Sequence, residues 1–462
     1  LVAGDNHTCL LYAKMDSPYT TSVRCFGGNT YGQLGYGNNV ASVGSDLLSG
    51  MNYNYTYSDY DIKTSIPDGN NSTANGYTGN WFKLSEFGDV PIFNNPASSD
   101  YLTQKITKIV SGQNHNCAMM EDPVNAGYFE ARCWGRNNKK QLLGFSNDKD
   151  NIGDFERGDY PFKKGYKQKV KDIFAAGDNT CVLVENNKIV CYGNIGSGSY
   201  ASSSLTSGYS TGSSTITKVG IGLEHVCILL SNGTVQCMGN DTYGIMGDSN
   251  LTVDSQTATF VQIPGLSGIK DLVSGDNHVC VLGSDSQVAC WGKAGAYNSL
   301  GSSLDYANGA TNYSGTFLSY PKGWFKPSIS KETTSLFGGR NKTCALLSGG
   351  SLKCWGDNSN MTLSYKSGAY NADATYIQNP ELMSDIRPVK DSGGSNATGD
   401  GVVAMAFGLS HTCFLTSSNN MNCSGSNTLG QQAYYEATAG TNYIRYSKNF
   451  GDIFGEDRKS VV

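Results

Sequence analysis

The sequence predicts an all-β fold built from repeats, and three observations lead to this prediction. A short motif occurs seven times along the 462 residues. Each copy carries one pair of cysteines, and together these pairs account for all 14 cysteines of the chain. No segment has a sustained helical period with caps, whereas short runs rich in Val, Ile and Phe end at glycine. Repeats of this size with glycine-rich turns are typical of all-β architectures.

Each copy of the motif opens with an apolar run, continues through a glycine and ends at a cysteine. The seven copies span residues 1–9, 108–117, 172–181, 218–227, 271–280, 335–344 and 404–413. A second cysteine follows 16 residues later in the first two copies and 10 residues later in the other five, and one residue and a glycine come after it. We interpret the apolar run as an inner strand and the segment between the cysteines as a hairpin.

The ten-residue spacing predicts a disulfide within each hairpin. If Cys227 lies opposite Cys237 in an antiparallel pair, a loop of three residues remains, and its last residue, Gly233, suits the left-handed conformation that such a loop needs. The equivalent loop positions hold Asn187, Ser286, Gly350 and Asn419. In the two longer units we expect the same hairpin with six extra residues at its tip. The expected bridges are Cys9–Cys25, Cys117–Cys133, Cys181–Cys191, Cys227–Cys237, Cys280–Cys290, Cys344–Cys354 and Cys413–Cys423.

Composition and charge narrow the location and the class of partner. The 39 acidic and 34 basic residues give a net charge of −5, which argues against a nucleic-acid-binding surface. An ordered set of cysteine pairs favours an oxidising, extracellular or cell-surface location, with buried reduced thiols as the alternative. The longest apolar runs, such as residues 402–407, are too short to span a bilayer. Because the sequence begins at Leu1 without Met or an apolar leader, we expect a processed or truncated product.

Five histidines share one repeat position, two residues before the first cysteine. They are His7, His115, His225, His278 and His411. A ring of histidines suggests a central metal, but each belongs to a different repeat and the sixth copy has Lys342 in the same place. We therefore expect each ring nitrogen to hydrogen-bond a neighbouring turn and so orient its repeat.

No motif of catalysis or cofactor binding is found in the sequence. It contains no nucleophile elbow, phosphate-binding glycine loop or zinc-binding helix motif, and the acidic run at residues 148–150 lacks the spacing of a calcium loop. Trp134, Trp291 and Trp355 share the position after the second cysteine, which favours core packing over a ligand cage. The sequence thus predicts no catalytic residue, no metal and no cofactor.

The repeat resembles that of the regulator of chromosome condensation family. The shared features are the Gly-x-x-His-x-Cys segment and a Cys-Trp-Gly segment continuing toward Gly-Gln-Leu-Gly, which is complete at residues 32–35. The cysteine pairs are most similar to the secreted branch of this family, including the ectodomains of Crinkly-type plant receptor kinases. The resemblance implies a seven-bladed β-propeller with four-stranded blades. The nuclear member of the family is a nucleotide exchange factor for a small GTPase, a role that the disulfides argue against here.

The resemblance covers the repeat cores, and the remainder of the chain consists of insertions. We expect one propeller domain over residues 1–462, with repeat cores near 1–35, 108–144, 172–193, 218–247, 271–301, 335–357 and 404–430. The insertions comprise the largest, 36–104, and those at 144–166, 194–214, 294–331 and 358–400. They are rich in Ser, Gly, Asn and Tyr, a mixture that protein contact surfaces favour, although flexible polar loops without a special role are the alternative.

Sequons for N-glycosylation are frequent in the chain. The candidates for occupied sites are Asn54, Asn70, Asn232, Asn240, Asn250, Asn312, Asn360 and Asn396. Asn232 is expected at a hairpin tip, where a glycan is accommodated. Because the chain is rich in Asn, Ser and Thr, several of these sequons are expected to have arisen by chance.

These observations predict an extracellular structural or interaction protein that is not an enzyme, and they favour a subunit of a fibre or surface assembly in which the insertions form contacts. The last residues, Lys459, Ser460, Val461 and Val462, resemble the start of the repeat motif. Either they pair beside the first repeat and close the ring, or they form an assembly strand that adds to a neighbouring copy in a fibre or surface coat. The expected partners are further copies, other extracellular proteins or glycans. The alternatives are a receptor- or inhibitor-like propeller that binds a protein or glycan on one face, and an enzyme with its site among the insertions.

Overall fold

The seven repeats form seven small antiparallel sheets, which are the blades of a propeller. The computed structural model describes residues 1–13, 21–35, 42–43, 105–121, 127–143, 151–152, 169–195, 209–241, 243–246, 256–293, 299–300, 333–348, 350, 352–359, 362–363, 376–382, 401–417, 420–426, 431, 446–449 and 460–461. Within them, strands dominate, and a 3-10 turn lies at Glu185–Asn187. The all-β, seven-bladed fold with one disulfide in each blade is therefore confirmed.

The first three blades each contain four described strands, with the first strand innermost. Their strands are β1 (Val2–Ala3), β2 (His7–Ala13), β3 (Thr21–Gly28) and β4 (Ser42–Val43) in blade one; β5 (Ile106–Ser111), β6 (His115–Glu121), β7 (Phe129–Arg136) and β8 (Asn151–Ile152) in blade two; and β9 (Val170–Ala176), β10 (Asn179–Val184), β11 (Lys188–Gly193) and β12 (Tyr209–Ser210) in blade three. A single bridge, Phe129 to Val170, joins the sheets of blades two and three.

The other blades follow the same order, although blade five has three strands among the described residues. Their strands are β13 (Ile216–Ile221), β14 (His225–Leu230), β15 (Val235–Asn240) and β16 (Gln256–Gln262) in blade four; β17 (Ile269–Ser274), β18 (His278–Gly283) and β19 (Val288–Gly292) in blade five; β20 (Thr333–Gly339), β21 (Lys342–Leu347), β22 (Leu352–Asp357) and β23 (Tyr376–Leu382) in blade six; and β24 (Val402–Phe407), β25 (His411–Thr416), β26 (Asn420–Gly425) and β27 (Tyr446–Asn449) in blade seven.

The cysteine pairs hold the second and third strands of each blade together. Cys227 lies opposite Cys237 in the register that the sequence predicts. All seven bridges join consecutive cysteines, and their α-carbons are 4.0–4.1 Å apart. Every cysteine is buried. Each bridge closes a short loop and stabilises the chain by roughly 2–3 kcal/mol in the chain-entropy description.

The hairpin tips adopt the conformation that the loop arithmetic predicts. The last loop residue has a positive φ in four units, with values of 56° at Asn187, 77° at Gly233, 62° at Ser286 and 85° at Gly350. Ser286 adopts this conformation even though it is neither Gly nor Asn, because the loop length imposes it. Asn419 lies outside the described residues.

The prediction that the two longer hairpins carry all their extra residues at the tip is wrong in part. In blade one the pairing continues to Ala13 opposite Thr21, and in blade two it continues to Glu121 opposite Phe129. The additional residues therefore lengthen the paired strands as well as the tip.

The core consists of apolar side chains packed between neighbouring blades. One buried cluster spans blades one to three, another spans blades five to seven, and two more lie between blades three and four and between blades four and five. Trp134, Trp291 and Trp355 are fully buried, as the sequence predicts. The insertion segments lie almost entirely outside the described residues.

Two short strands, one near each end of the sequence, pair with the same side of strand β2 in blade one. Strand β28 (Ser460–Val461) pairs with β2 at Tyr12 and Ala13, and β1 pairs with the same strand at Thr8 and Cys9. This is the ring-closing arrangement, the first of the two that the sequence left open.

Candidate functional site

The turns between the first and second strands of all blades meet at one end of the ring, and we call this end the turn face. Its central positions, which are equivalent in the repeat, are Asp5, Gln113, Gly177, Leu223, Asp276, Arg340 and Leu409. At five of the seven junctions, a backbone N–H at this position donates to the carbonyl of the next blade. These bonds are Asp5 N to Gln113 O (2.8 Å), Gln113 N to Gly177 O (2.7 Å), Leu223 N to Asp276 O (2.9 Å), Asp276 N to Arg340 O (2.7 Å) and Leu409 N to Asp5 O (3.2 Å).

The histidines form a second set of bonds between blades. In four of them Nε2 reaches a side chain that begins the second strand of the next blade: His7 to Asn116 Oδ1 (3.0 Å), His115 to Thr180 Oγ1 (2.8 Å), His278 to Thr343 Oγ1 (2.8 Å) and His411 to Thr8 Oγ1 (2.8 Å). The orienting role expected from the sequence thus holds, but the partner is a strand side chain and not a turn. The expectation was wrong in this respect because the imidazole folds back over its own turn, which directs Nε2 outward.

The glycine of each Gly-x-x-His turn is required by this folding of the ring. A Cβ on Gly112 would lie 2.0 Å from Cε1 of His115, and the same applies to the turns of the other four histidines. Glycine is therefore needed for space here and not for a positive φ.

His225 is the exception among the histidines. The residue that would meet its Nε2 in blade five is Val279, which has no hydroxyl group. Among the described residues Nε2 of His225 has no hydrogen-bond partner. The junction between blades four and five is held by the backbone bond and by Trp291, whose Nε1 donates to Ile245 O at 2.8 Å.

Blades three and six, which lack the histidine, have a shorter turn. Gly177 and Arg340 adopt positive φ values of 58° and 54°, and among the described residues no backbone bond links these two turns to the following blade as in the other five. A side chain in the histidine position makes the connection instead. Asn179 Nδ2 donates to Gly222 O (2.9 Å) and Leu223 O (2.8 Å).

Lys342 makes the corresponding bonds in blade six. Its Nζ donates to Gly408 O (3.0 Å) and Leu409 O (3.1 Å), and its side chain is fully buried. Burial lowers the pKa of Lys342 to about 8, while Asp357 and Asp276 act in the opposite direction. Around Asn179, the positions equivalent to Asp357 and Asp276 are occupied by Asn194 of blade three and Gln113 of blade two. A buried cation is thus matched by two acids, and a buried amide by two amides.

Arg340 lies in the lining of the axial cavity, in the turn of blade six. Its guanidinium contacts the carboxylates of Asp276 in the preceding blade five and of Asp5 in blade one. Burial raises the pKa of Asp276 to about 6 and lowers that of Arg340 to about 10. Behind this group lies a cavity of about 280 Å³, lined by the innermost strands. Its lining combines apolar side chains, such as Val110 and Phe174, with the polar side chains of Ser274 and Asp276.

A polar cleft opens on the turn face where the short turn of blade three meets blade four. Its volume is about 390 Å³, and its lining comprises Gln113, Asp178, Asn194, Leu223, Glu224, Asn240, Tyr243 and Asn277. The lining therefore includes two carboxylates, four carboxamides and one phenol, but no basic side chain.

The two carboxylates of the cleft differ in their surroundings. Glu224 accepts from Asn240 Nδ2 at 2.6 Å and, more weakly, from Asn194 Nδ2 at 3.5 Å. Asp178 accepts from Gln141 Nε2 at 3.3 Å, and partial burial raises its pKa, although Arg136 and Lys139 oppose this effect. Glu224 is thus oriented by two amides, whereas Asp178 is only weakly paired and carries an electrostatic cost that a bound cation would relieve.

Aromatic side chains with cations beside them lie near the cleft. Nζ of Lys293 lies 4.5 Å from the ring centroid of Tyr243 and donates to its hydroxyl at 3.3 Å. Cζ of Arg136 lies 4.9 Å from the ring centroid of Tyr31. Such rings present a flat apolar surface with a polar edge, which is common in binding sites.

The cleft residues were not singled out in the sequence. The available signal was the third copy of the motif, Gly177-Asp178-Asn179-Thr180-Cys181, which keeps its length but has Asn179 in the histidine position and Ala176 in the glycine position. In this copy the strands pair one residue further, with Asn179 opposite Ala176, so the turn is tighter. The neighbours that line the cleft are supplied by three other blades and are distant in sequence.

Most of the other predicted sites lie outside the described residues. These are Asn54, Asn70, Asn250, Asn312, Asn360, Asn396, Lys459 and Val462. Asn232 is exposed at its hairpin tip, and its glycosylation stays a prediction. Asn240 is partly buried and its Nδ2 donates to Glu224, so a glycan there would replace a short hydrogen bond. In the described part of the chain, no cluster of His, Cys, Asp or Glu has metal-site geometry, and no helix is long and apolar enough to cross a membrane.

The comparisons with known proteins agree with the repeat and the fold. The model of the regulator of chromosome condensation (RCC1) repeat matches residues 216–245 and 402–431, which are the cores of blades four and seven. No curated protein sequence matches the chain.

Solved structures with the same fold cover most of the chain. Prp20p from Saccharomyces cerevisiae is 14% identical over 98% of this chain and 87% of its own, with a TM-score of 0.61. Human WBSCR16 is 15% identical over 74% of this chain and 82% of its own, with a TM-score of 0.53. The Crinkly ectodomain of the Arabidopsis thaliana receptor kinase ACR4 is less similar in structure, with a TM-score of 0.37 and 14% identity over 70% of this chain and 86% of its own. The chain is thus a propeller of the same fold as these structures, and two of its seven repeats match the regulator of chromosome condensation repeat.

Proposed function

We propose that this protein is an extracellular interaction propeller that binds a partner protein through the cleft between blades three and four. The observation that carries the proposal is the lining of the cleft, where Asp178 and Glu224 face solvent-accessible space with no basic side chain among the lining residues. The group best suited to this lining is the Lys or Arg side chain of a partner, which would form charge-assisted hydrogen bonds with both carboxylates.

The scaffold around the cleft supports a binding role. Hydrogen bonds between blades hold the flanking turns, and a disulfide staples every blade, so the cleft needs little reorganisation to receive a ligand. Function in repeat proteins is expected where a repeat departs from the common pattern. Blade three departs from it, because it has Asn179 in place of the histidine and a tighter turn. The Prp20p structure was described together with its binding to Gsp1p and histones, which supports the use of this fold for protein partners.

The extracellular location and the lack of enzymatic activity are parts of the same proposal. Seven buried disulfides and no free cysteine suit an oxidising compartment. The histidines, which are the commonest general acids and bases, bond between blades or lie buried and are committed to structure. The closing of the ring by Ser460 and Val461 supports a single propeller over the whole chain.

Assembly into a fibre is the less favoured form of this function. In the fibre hypothesis the C-terminal residues add to a neighbouring copy, but Ser460 and Val461 already pair with Tyr12 and Ala13 of blade one. Exchange between copies would first have to break this pairing. We therefore expect a monomer in sedimentation at high concentration, and a concentration-dependent polymer would restore the fibre hypothesis.

The binding proposal is tested by titrating the protein with short probes of defined charge. Fluorescence anisotropy would compare a labelled Arg-Gly hexapeptide, a Glu-Gly hexapeptide and a neutral oligosaccharide. We expect binding of the basic peptide only, weakened by salt and by about tenfold or more in Asp178→Asn or Glu224→Gln, because a hydrogen bond between charged groups contributes roughly 1.5–3 kcal/mol.

A matched control lies at the opposite end of the same blade. Glu185 is in the hairpin tip of blade three and is about half exposed. Glu185→Gln removes the same charge without touching the cleft and should leave binding unchanged. Equal losses in Glu185→Gln and Glu224→Gln would mean that the peptide responds only to net charge, and preference for the oligosaccharide would identify a glycan site instead.

A further inference from the structure

Five imidazoles are buried at junctions between blades, and their protonation states are constrained by their partners. All five rings are at most 2% exposed. At His7, Asn116 donates through Nδ2 to Gln33 O at 2.6 Å, so its Oδ1 faces the imidazole as an acceptor. At His411, Thr8 donates its hydroxyl proton to Gln431 O at 2.7 Å and therefore accepts from the ring. In both cases the proton is on Nε2, and Nδ1 has a lone pair.

If Nδ1, the second ring nitrogen, became protonated, its N–H would have no hydrogen-bond acceptor. Nδ1 of His7, His115, His278 and His411 is buried without a hydrogen-bond partner among the described residues. It lies against the glycine of its own turn, where a Cβ would be 2.2–2.5 Å from Nδ1. Adding a proton would thus bury an unpaired N–H on a charged ring, which costs several kcal/mol if the junction stays closed.

The charged groups around the rings do not offset this cost. Asp5, Glu224 and Asp276 lie in the same turns as His7, His225 and His278, but Asp5 and Asp276 already contact Arg340 and Glu224 accepts from two amides. His411 faces the cations Lys342 and Arg340 of blade six, and His7 of blade one. His115 faces His7, and His225 faces His278. Burial lowers the pKa of all five to about 3–4.

The disulfides of the protein do not cross the junctions between blades. Every disulfide joins the second and third strands of one blade. The links between blades are the hydrogen bonds of the turn face, the ion pairs and the apolar packing. Protonation of the histidines would therefore weaken the contacts between blades, while the disulfide in each blade keeps its hairpin paired.

We propose that the five histidines form an acid-sensitive latch, which keeps the blades of the turn face together near neutral pH and releases them in a mildly acidic environment without unfolding the disulfide-linked hairpins. For each histidine that becomes protonated only in the open form, the ratio of open to closed junctions rises about tenfold per pH unit below about pH 6.5. The proposal concerns the stability of the ring and stands independently of any ligand in the cleft.

The latch is tested by amide hydrogen exchange of the intact, oxidised chain near pH 7.4 and near pH 5, corrected for the intrinsic pH dependence of exchange. We expect protection in acid to fall at the junction amides of Gln113, Leu223 and Leu409, whereas the paired amides of the Cys227–Cys237 hairpin keep theirs. Unchanged junction protection at pH 5, or simultaneous loss in junctions and hairpins, would overturn the proposal.

Two variants separate titration from simple loosening. His278→Gln can still donate to Thr343 Oγ1 but does not titrate, so the acid response should become shallower by about tenfold per pH unit. Ser424→Ala removes the bond from Ser424 Oγ to Thr362 O (2.8 Å) at another junction. It should loosen that junction equally at both pH values. If both variants shift protection without changing its pH dependence, the histidines are structural only. If His278→Gln does not fold, His115→Gln takes its place, because His115 has the same contact with a threonine hydroxyl, Thr180 Oγ1, at 2.8 Å.

Discussion

Replacing Val279 by threonine should stabilise the protein, although it puts a hydroxyl group into the core. Val279 is fully buried, and it occupies the position where Thr8, Thr180 and Thr343 accept a bond from the histidine of the preceding blade at 2.8 Å. Nε2 of His225 has no partner there at present. The new hydroxyl would meet this nitrogen, so one substitution satisfies two buried polar groups.

The expected gain follows from the cost of the unpaired nitrogen. An intramolecular hydrogen bond contributes about 0.5–1.5 kcal/mol net, and an unsatisfied buried group costs about 1–3 kcal/mol. Against this stands the lost methyl group of valine, at about 0.8 kcal/mol. We expect a net increase of about 1 kcal/mol in the free energy of unfolding.

Chemical denaturation is the suitable assay, because for 462 residues the thermal midpoint would move only about 1 °C per kcal/mol. The matched control is Val226→Thr, at the same strand position in blade four. In the preceding blade the histidine position is occupied by Asn179, whose side chain donates to backbone carbonyls. The new hydroxyl of Val226→Thr would therefore meet no imidazole. This variant should lose about 1–3 kcal/mol. Equal destabilisation by the two substitutions would refute the reasoning.

Three other outcomes are expected from the same contacts. Gly112→Ala should lower the unfolding free energy by roughly 2–4 kcal/mol in denaturant titrations, since its Cβ would displace the His115 ring. Lys342→Met should cost more than Asn179→Leu, a loss of about 3–5 kcal/mol, because it removes the cation beside the buried carboxylate of Asp357 and leaves Asp276 with Arg340 alone. Unfolding measured across pH should show stability falling from about pH 6.5 toward pH 4, by roughly 2 kcal/mol per histidine at pH 5. The sign follows because the unfolded state binds protons near pH 6.5 and the folded state only near pH 3–4. A stability profile that is flat across this range would contradict the assigned burial of the imidazoles.

The parts of the fold that depend on local spacing could be predicted from the sequence. The register of Cys227 opposite Cys237 and the left-handed conformation at Gly233 both follow from a ten-residue interval. Even Ser286, an unfavourable residue for that conformation, follows the loop length.

The contacts between blades were beyond this reasoning. The hydrogen-bond partner of His7, Asn116, is 109 residues away in the sequence. In blade six Lys342 replaces the histidine, and the two carboxylates near it, Asp276 and Asp357, come from different parts of the chain. The position of Arg340 in the lining of the axial cavity depends on a left-handed turn that no residue type signals. Such features need the blades placed in three dimensions.

The central claim, that the cleft between blades three and four is the binding site, is tested most directly by a crystal structure of the protein with the Arg-Gly hexapeptide. We predict a guanidinium group within hydrogen-bond distance of the carboxylates of Asp178 and Glu224, on the turn face. A peptide bound at another surface, with the cleft free of it, would contradict the claim.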